Sequence, residues 1–136
     1  MLKNLLSHTV SELTVAEAKA VQGKAIFLDA REWKEYEVSH IANAKYVGYD
    51  SFDLKTVQHL PKDQPIVVYC SVGYRSEKVA EQLKSAGYQQ VTNLYGGIFE
   101  WRNQGNGVVN QTGSTEKVHA YNRAWGVWLK KGEKVY

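Results

Sequence analysis

The sequence predicts an α/β fold in which short parallel strands alternate with helices. Runs of strand-forming residues at 25–28, 66–69 and 91–95 are each followed by a turn and then by a helical pattern. Strands that alternate with helices form βα units, so the strands pair in parallel and the helices cover the faces of the sheet. A ligand crevice is therefore expected at the carboxyl ends of the strands.

The first half of the chain carries signals for both helices and strands. Thr14 and Glu17 have the spacing of a capping box, Gly23 is a stop signal, and Pro61 cannot continue a helix. The predicted elements are a helix at 14–21, a strand at 25–28, a helical turn at 33–37, a brief strand at 45–47 and a helix at 50–60.

The second half begins with the apolar strand at 66–69, which precedes a glycine-containing loop. In the next segment Val79, Ala80 and Leu83 fall on one face, and Gly87 ends the pattern. The predicted elements are a strand at 66–69, a helix at 76–86, a strand at 91–95 and a helix at 98–104.

The C-terminal segment, residues 105–136, differs in composition from the rest. Residues 103–117 are rich in Asn, Gln, Gly, Ser and Thr, which indicates a loop, with a short strand at 108–109. Beyond the loop, apolar residues at 118, 121, 125, 128 and 129 recur at helical spacing. We predict a domain over residues 1–104 and an extension over 105–136, a loop plus an amphipathic helix packed on the same domain.

Composition limits the classes of function. The chain has 136 residues, a formal net charge of +3 and one cysteine. It lacks a long cationic run and an apolar stretch of membrane-spanning length, so we expect neither nucleic acid nor a membrane as a partner. A single unpaired thiol suits a reducing compartment, which predicts a cytoplasmic location. The scattered histidines have no metal-ligand spacing, so we expect no metal and no cofactor.

Cys70 carries most of the functional information. It lies where the apolar run 66–69 gives way to a short loop and a helix, so several backbone N–H groups converge on its thiol. Those groups, the helix N-terminus and Arg75 favour the reactive thiolate. Asp29 and Gly96 follow other strands and are expected at the same edge of the sheet. Without other information, a lone cysteine after an apolar strand is more often a buried core residue than a nucleophile.

Three ordered motifs make the reactive cysteine the better explanation. The loop Cys70-Ser71-Val72-Gly73-Tyr74-Arg75-Ser76 resembles the active-site loop of single-domain rhodaneses, the thiosulfate sulfurtransferase family. The upstream residues Asp29-Ala30-Arg31, Glu35, His40-Ile41 and Asn43-Ala44 are similar to the family's Asp-x-Arg and Gly-His-Ile-x-Gly-Ala motif, with Ser39 and Asn43 in place of its glycines. Gly96-Gly97 with Trp101 resembles its downstream element. The resemblance covers residues 8–104.

The resemblance implies a three-layer α/β fold with a central, mostly parallel five-stranded sheet flanked by helices. It also implies transfer of sulfane sulfur, in which Cys70 attacks a thiosulfate-like donor, becomes a persulfide and discharges it to cyanide or a thiol, including a protein acceptor. The substrate-binding residues implied are those of the loop: Ser71, Val72, Gly73, Tyr74, Arg75 and Ser76.

Several roles within this site stay open. Arg75 either faces the anion or braces the loop through a carboxylate such as Asp29 or Glu35. Asp29 and Arg31 are interpreted as a structural pair that fixes the turn after the strand, while Glu35 and Glu37 are expected to be solvated. His40 is expected to make structural hydrogen bonds.

Two other functions are alternatives to sulfur transfer. Cysteine phosphatases place five residues between Cys and Arg, whereas four separate Cys70 from Arg75, and this smaller loop disfavours a phosphatase. The other alternative is a non-catalytic binding module or a sulfur carrier that serves a protein partner, which the aromatic C-terminal segment would suit.

Overall fold

The structure is a computed structural model that describes residues 6–136, with the backbone alone described at positions 123 and 124. The central sheet has five strands in the order β1-β5-β4-β2-β3, and every pairing is parallel. Its strands are β1 (Ser11–Leu13), β2 (Ile26–Asp29), β3 (Lys45–Tyr46), β4 (Ile66–Tyr69) and β5 (Val91–Leu94). The predicted α/β fold with a parallel five-stranded sheet is therefore confirmed.

Helices cover both faces of this sheet. They are α1 (Val15–Ala20), α2 (Trp33–Val38), α3 (Tyr74–Ser85), α4 (Gly97–Asn103) and α5 (Arg123–Gly126). Along β4 the side chains alternate: Val67 and Tyr69 belong to the core cluster that includes residues of α1 and α4, while Ile66 and Val68 pack in the cluster that includes residues of α3. β4 is thus buried on both faces, and Cys70 follows the most enclosed strand.

Two elements in the first half of the structure differ from the prediction. Strand β1 was missed because it has only three residues and half-exposed side chains at the edge of the sheet. The helix expected at 50–60 is wrong. Only a 3₁₀ turn, Leu54–Val57, forms there, with Asp53 accepting a hydrogen bond from the Lys55 N–H at its start. The Val57 carbonyl at its end accepts from the Leu60 N–H at 2.9 Å and from the Tyr88 hydroxyl at 2.7 Å.

The amphipathic helix expected over 118–129 is also wrong. The C-terminal segment forms a hairpin of β6 (Val108–Asn110) and β7 (Gly113–Thr115), then β8 (Lys117–His119), the short α5 and β9 (Glu133–Val135). β8 pairs in parallel with β9, and the Ala120 N–H donates to the Val135 carbonyl. This pairing satisfies backbone groups near residue 118 that a helix would have used, and Tyr121, with φ of 68°, interrupts the helical path.

The C-terminal segment packs on the sheet even so. Val118 and Leu129 are buried in the same core cluster as Trp101, and the Asn103 side chain donates to the Trp128 carbonyl at 2.9 Å. The first five residues of the predicted domain lie outside the described residues, and its boundary at 104 remains a prediction. Within residues 6–136, the helices are too short and too polar to cross a bilayer.

Candidate active site

The Cys70 thiol lies at the carboxyl end of β4, against the start of α3. Cys70 is 1% exposed, and its Sγ accepts a hydrogen bond from the Gly73 N–H at 3.1 Å. Gly73 has a φ of +121°, a backbone conformation that other residues rarely adopt, and this conformation turns its N–H toward the sulfur. The N-terminus of α3, a helix of 12 residues, adds a positive partial charge beside the same atom.

Helix α4 fixes the orientation of the loop. The Ile98 N–H donates to the Cys70 carbonyl at 2.9 Å, and the Phe99 N–H donates to the Ser71 carbonyl at 3.1 Å. The loop carbonyls are therefore held at the first turn of α4, away from the sulfur. Gly97 makes this approach feasible, since a Cβ at that position would lie 2.4 Å from the Ser71 carbonyl oxygen.

Asn93, a residue that sequence reasoning missed, supports the loop from β5. Its side-chain amide is fully buried, donates to the Gly73 carbonyl at 3.0 Å and accepts from the Ser76 hydroxyl at 2.6 Å. The Ser76 hydroxyl also lies 3.4 Å from Sγ. Because a hydroxyl has one proton, Ser76 can donate it either to Asn93 or to the Cys70 thiolate. Asn93 sits in an apolar strand pattern with no signal that marks it.

Arg75 is held by Glu35, which corrects the expectation that Glu35 is solvated. Glu35 is 0% exposed, and its two carboxylate oxygens accept from the Arg75 guanidinium at 2.8 and 3.0 Å. The guanidinium also donates to the Ser71 hydroxyl at 2.9 Å, so Arg75 bridges α2 to the loop. Burial alone would raise the pKa of Glu35, but the hydrogen bonds and the charge of Arg75 hold that pKa below its ordinary value.

Asp29 and Arg31 form a separate buried pair. The Arg31 guanidinium donates to the two carboxylate oxygens of Asp29 at 2.9 and 2.7 Å and to the Ser39 carbonyl at 2.7 Å. Both side chains are completely buried, and neither lines the cavity that contains Cys70. The pair ties the end of β2 to the turn after α2. His40 lies beyond that turn and bonds the Tyr36 carbonyl through Nδ1, at 3.0 Å.

A cavity of about 360 Å³, here called the Cys70 cavity, opens above the loop. Ser71, Val72, Tyr74 and Arg75 line it together with Cys70, so the structure brings most of the predicted loop residues to one space. Gly73 and Ser76 stand behind them and contact Sγ. The remaining lining residues are Glu32, Tyr49, Asp50, Tyr121, Asn122 and Trp125.

The aromatic C-terminal segment supplies one wall of the Cys70 cavity. The ring of Tyr121 lies 4.8 Å from the Arg75 guanidinium carbon and 5.9 Å, edge to face, from the ring of Trp125. The Tyr121 N–H donates to Nδ1 of His119 at 3.0 Å. Burial lowers the pKa of His119, which favours the neutral ring that this hydrogen bond requires.

Within 6–136, no three His, Cys, Asp or Glu side chains come together in a way that would ligate a metal ion. The chemistry that the arrangement can support is nucleophilic attack by the Cys70 thiol, whose Sγ accepts the Gly73 N–H and lies close to the Ser76 hydroxyl.

Comparison with known families decides which fold family this is. The sequence model of the Rhodanese-like domain matches residues 14–104. The chain belongs to the rhodanese-like domain family. The matched region ends with α4, so the C-terminal segment of this rhodanese-like domain protein, with Tyr121 and Trp125, lies outside it.

Curated relatives of the chain carry a different activity in their names. A tRNA uridine(34) hydroxylase of Cronobacter sakazakii is 38% identical over 96 residues, which is 65% of this chain and 28% of that protein. The enzyme of that name from Escherichia coli O139:H28 is 38% identical over 102 residues, 70% of this chain and 29% of its own length. The chain thus spans less than a third of these relatives.

Solved structures share the fold. The rhodanese-like domain of an Anabaena sp. protein superposes with a TM-score of 0.67 at 22% identity, covering 73% of this chain and 78% of that one. A thiosulfate sulfurtransferase of Pseudomonas aeruginosa gives a TM-score of 0.67 at 24% identity, covering 74% of this chain and 20% of that one. At these levels of sequence identity, the two solved structures show a shared fold only, and not a shared activity.

Proposed function

We propose that this rhodanese-like domain is a sulfurtransferase that works through a Cys70 persulfide. The observation that carries the proposal is the position of Sγ, which accepts the Gly73 N–H at the N-terminus of α3 while lying in the Cys70 cavity. An anionic sulfur at this position is stabilised both before and after it acquires a second sulfur.

The two half-reactions balance as displacements at sulfur. The Cys70 thiolate attacks the outer sulfur of thiosulfate or a related donor; the S–S bond of the donor breaks, and sulfite leaves with the bonding pair. A cyanide ion or an acceptor thiolate then attacks the outer sulfur of the Cys70 persulfide. That S–S bond breaks, its electrons return to Sγ, and thiocyanate or a new persulfide leaves. The chain has no second cysteine, so the acceptor comes from outside it.

Loop residues have distinct roles in this proposal. Gly73 and Ser76 donate to the sulfur anion, and Arg75, fixed by Glu35, braces the loop with its charge close to the sulfur. Asp29 and Arg31 shape the end of β2 without touching the reacting atoms. A small sulfur donor and a thiol or cyanide acceptor are the partners, with no nucleic acid, membrane or cofactor, and a cytoplasmic location remains our expectation.

The test is formation of thiocyanate from thiosulfate and cyanide, together with the intact mass of the protein after exposure to thiosulfate alone. We expect the parent to gain one sulfur atom and to release it on addition of cyanide. Cys70→Ser should do neither. Equal thiocyanate production by the parent and Cys70→Ser would refute the proposal.

A sulfur-carrier or binding module is the second candidate, and the C-terminal wall over Cys70 favours it, because this wall narrows access from solvent. A carrier would gain the sulfur but release none to cyanide, whereas a pure binding module would keep an unmodified thiol. A part in modifying tRNA uridine, suggested by the names of the relatives, predicts that tRNA binds in a filter-binding titration; under our leading proposal it does not.

A further inference from the structure

The Cys70 cavity is larger than the small ions of the reaction require. Its volume is about 360 Å³, within the range of roughly 300–1,000 Å³ typical of sites for organic ligands. A water molecule occupies roughly 30 Å³ of the liquid, so a two-atom cyanide would leave most of this space to water. The size therefore points to a larger molecule beside the sulfur.

Aromatic side chains make up much of the lining. Tyr49 and Tyr74 come from the region that the family shares, and Tyr121 and Trp125 come from the C-terminal segment. Aromatic rings offer flat, apolar area with few rotatable bonds, which suits stacking on a flat or apolar group. An inorganic ion gains little from such a wall.

Tyr121 is fixed in its place rather than loosely attached. Its N–H bonds His119, its ring covers the Arg75 guanidinium, and its edge contacts Trp125. The backbone at Tyr121 adopts a φ of 68°, in the left-handed region that costs an ordinary side chain energy. These contacts hold an aromatic wall ready before any ligand arrives.

The charged side chains that line the Cys70 cavity do not favour an acceptor whose body carries a negative charge. Among the described lining side chains, Arg75 is the cation, and its guanidinium is already paired with Glu35. Two carboxylates also line the cavity: Glu32, which pairs with Lys34 at 3.7 Å on the exposed surface, and Asp50. A carboxylate on the body of the acceptor would lie near Glu32 and Asp50, while the guanidinium of Arg75 is already engaged by Glu35.

From these observations we propose that the acceptor is an organic thiol with an uncharged, flat or apolar body, seated against Tyr121 and Trp125 of the C-terminal segment. This inference rests on the proposed function of Cys70 and adds its acceptor class. In the transfer, the thiolate of this acceptor attacks the outer sulfur of the Cys70 persulfide. The S–S bond breaks toward Sγ, and the acceptor leaves as an organic persulfide.

The experiment separates the two half-reactions. The protein is first loaded with thiosulfate, its persulfide is confirmed by intact mass, and excess donor is removed. Discharge is then followed with 2-phenylethanethiol, with 2-mercaptoethanol and with 3-mercaptopropionate. We expect 2-phenylethanethiol to discharge the persulfide about tenfold faster than 2-mercaptoethanol at equal thiolate concentration, and the carboxylate-bearing thiol to be the slowest.

Variants of Tyr121 and Trp125 test whether the aromatic wall causes the preference for 2-phenylethanethiol. Tyr121→Ala and Trp125→Ala should each lower the ratio of the phenylethanethiol rate to the mercaptoethanol rate by about fivefold to tenfold, as expected for loss of one aromatic stacking partner. Tyr121→Phe and Trp125→Phe keep a flat ring and should retain most of the ratio. Trp33→Ala removes an exposed tryptophan outside the Cys70 cavity and serves as the control. Near-ultraviolet circular dichroism checks that each variant is folded.

The outcomes are distinguishable. A parent protein that never gains the sulfur refutes the proposed function itself. A persulfide that forms but reacts equally with all thiols, or a ratio that the alanine variants leave unchanged, overturns the acceptor class while the proposed function stands.

Discussion

Replacing Glu35 by glutamine tests how the positive charge beside Cys70 is held. Glu35 accepts four hydrogen bonds, two from Arg75, one from the Ser71 hydroxyl and one from the Glu32 N–H. Glutamine keeps one oxygen and presents an NH₂ group where the other carboxylate oxygen received a donor. The variant therefore loses both the negative charge and at least one acceptor inside the protein.

The magnitude follows from the burial of the pair. Removing one partner of a buried ion pair costs about 3–5 kcal/mol, because the other charge is left without compensation. The Arg75 side chain is 13% exposed and regains some hydration, so we expect the lower end, about 3 kcal/mol. For a chain of 136 residues this corresponds to a fall in Tm of about 10 °C.

The assay is urea unfolding at neutral pH, with Glu37→Gln as the matched control. Glu37 lies on the same helix but is exposed, so its replacement should change the free energy of unfolding by less than about 0.5 kcal/mol. The pair stabilises the fold fully above the ordinary glutamate pKa of about 4.3, and this contribution is lost as the pH falls through the lowered folded value. The difference between the parent and Glu35→Gln should therefore shrink as the medium is acidified below about pH 4.

A double variant separates bracing from direct action on the sulfur. Glu35→Leu combined with Arg75→Met replaces the pair by apolar groups and should recover much of the lost stability. If persulfide formation recovers with stability, Arg75 acts by bracing the loop; if it stays slow, the cation itself acts on the anionic sulfur.

For the single variant Glu35→Gln, a decrease of less than about 1 kcal/mol in the free energy of unfolding would refute the reasoning from a buried ion pair.

Three further changes probe the supports of the site. Asn93→Ala removes two buried hydrogen bonds, one to the Gly73 carbonyl and one from the Ser76 hydroxyl, and should cost about 2 kcal/mol in urea unfolding and slow persulfide formation. Thr92→Ala, at the preceding residue on β5, should leave the persulfide rate unchanged. Gly97→Ala drives a Cβ into the loop carbonyls and should abolish persulfide formation, measured by intact mass, while Gly23→Ala, where the space is open, should have no effect. Burial lowers the pKa of His119 in the folded protein. As the pH falls, the unfolded chain therefore binds a proton at His119 before the folded protein does, and the free energy of unfolding decreases below about pH 6.5. His119→Asn keeps an acceptor and should flatten that slope in unfolding titrations between about pH 6.5 and 5.

Sequence reasoning reached the features that local patterns encode. The position of Cys70 after an apolar strand, the glycine-containing loop and the parallel sheet all follow from runs of a few residues. α3 begins two residues earlier than expected, at Tyr74. Boundaries of this kind depend on the loop that precedes them.

What sequence reasoning missed depends on contacts between distant segments. Glu35 looks solvated on a short helix, and its burial follows from Arg75, 40 residues away in the chain. Asn93 has no local signal because its partners belong to the loop after β4. In the C-terminal segment the spacing of Tyr121 and Trp125 is helical, but pairing with β9 decides the backbone path. A sequence pattern cannot show which remote strand will compete for the same N–H groups.

The pairing of β8 with β9 has a consequence for how such a site can diversify. The segment that carries Tyr121 and Trp125 is closed at its base by this two-stranded ladder, whereas Cys70 is carried by the five-stranded sheet. The Cys70 thiol and the wall that faces it thus belong to separate β-sheets. Substitutions at exposed positions between the two small strands, such as Tyr121 and Val127, change the surface of the segment without altering the buried core. Under the proposed function, exchange of this one segment would change the acceptor and leave the reacting sulfur in place.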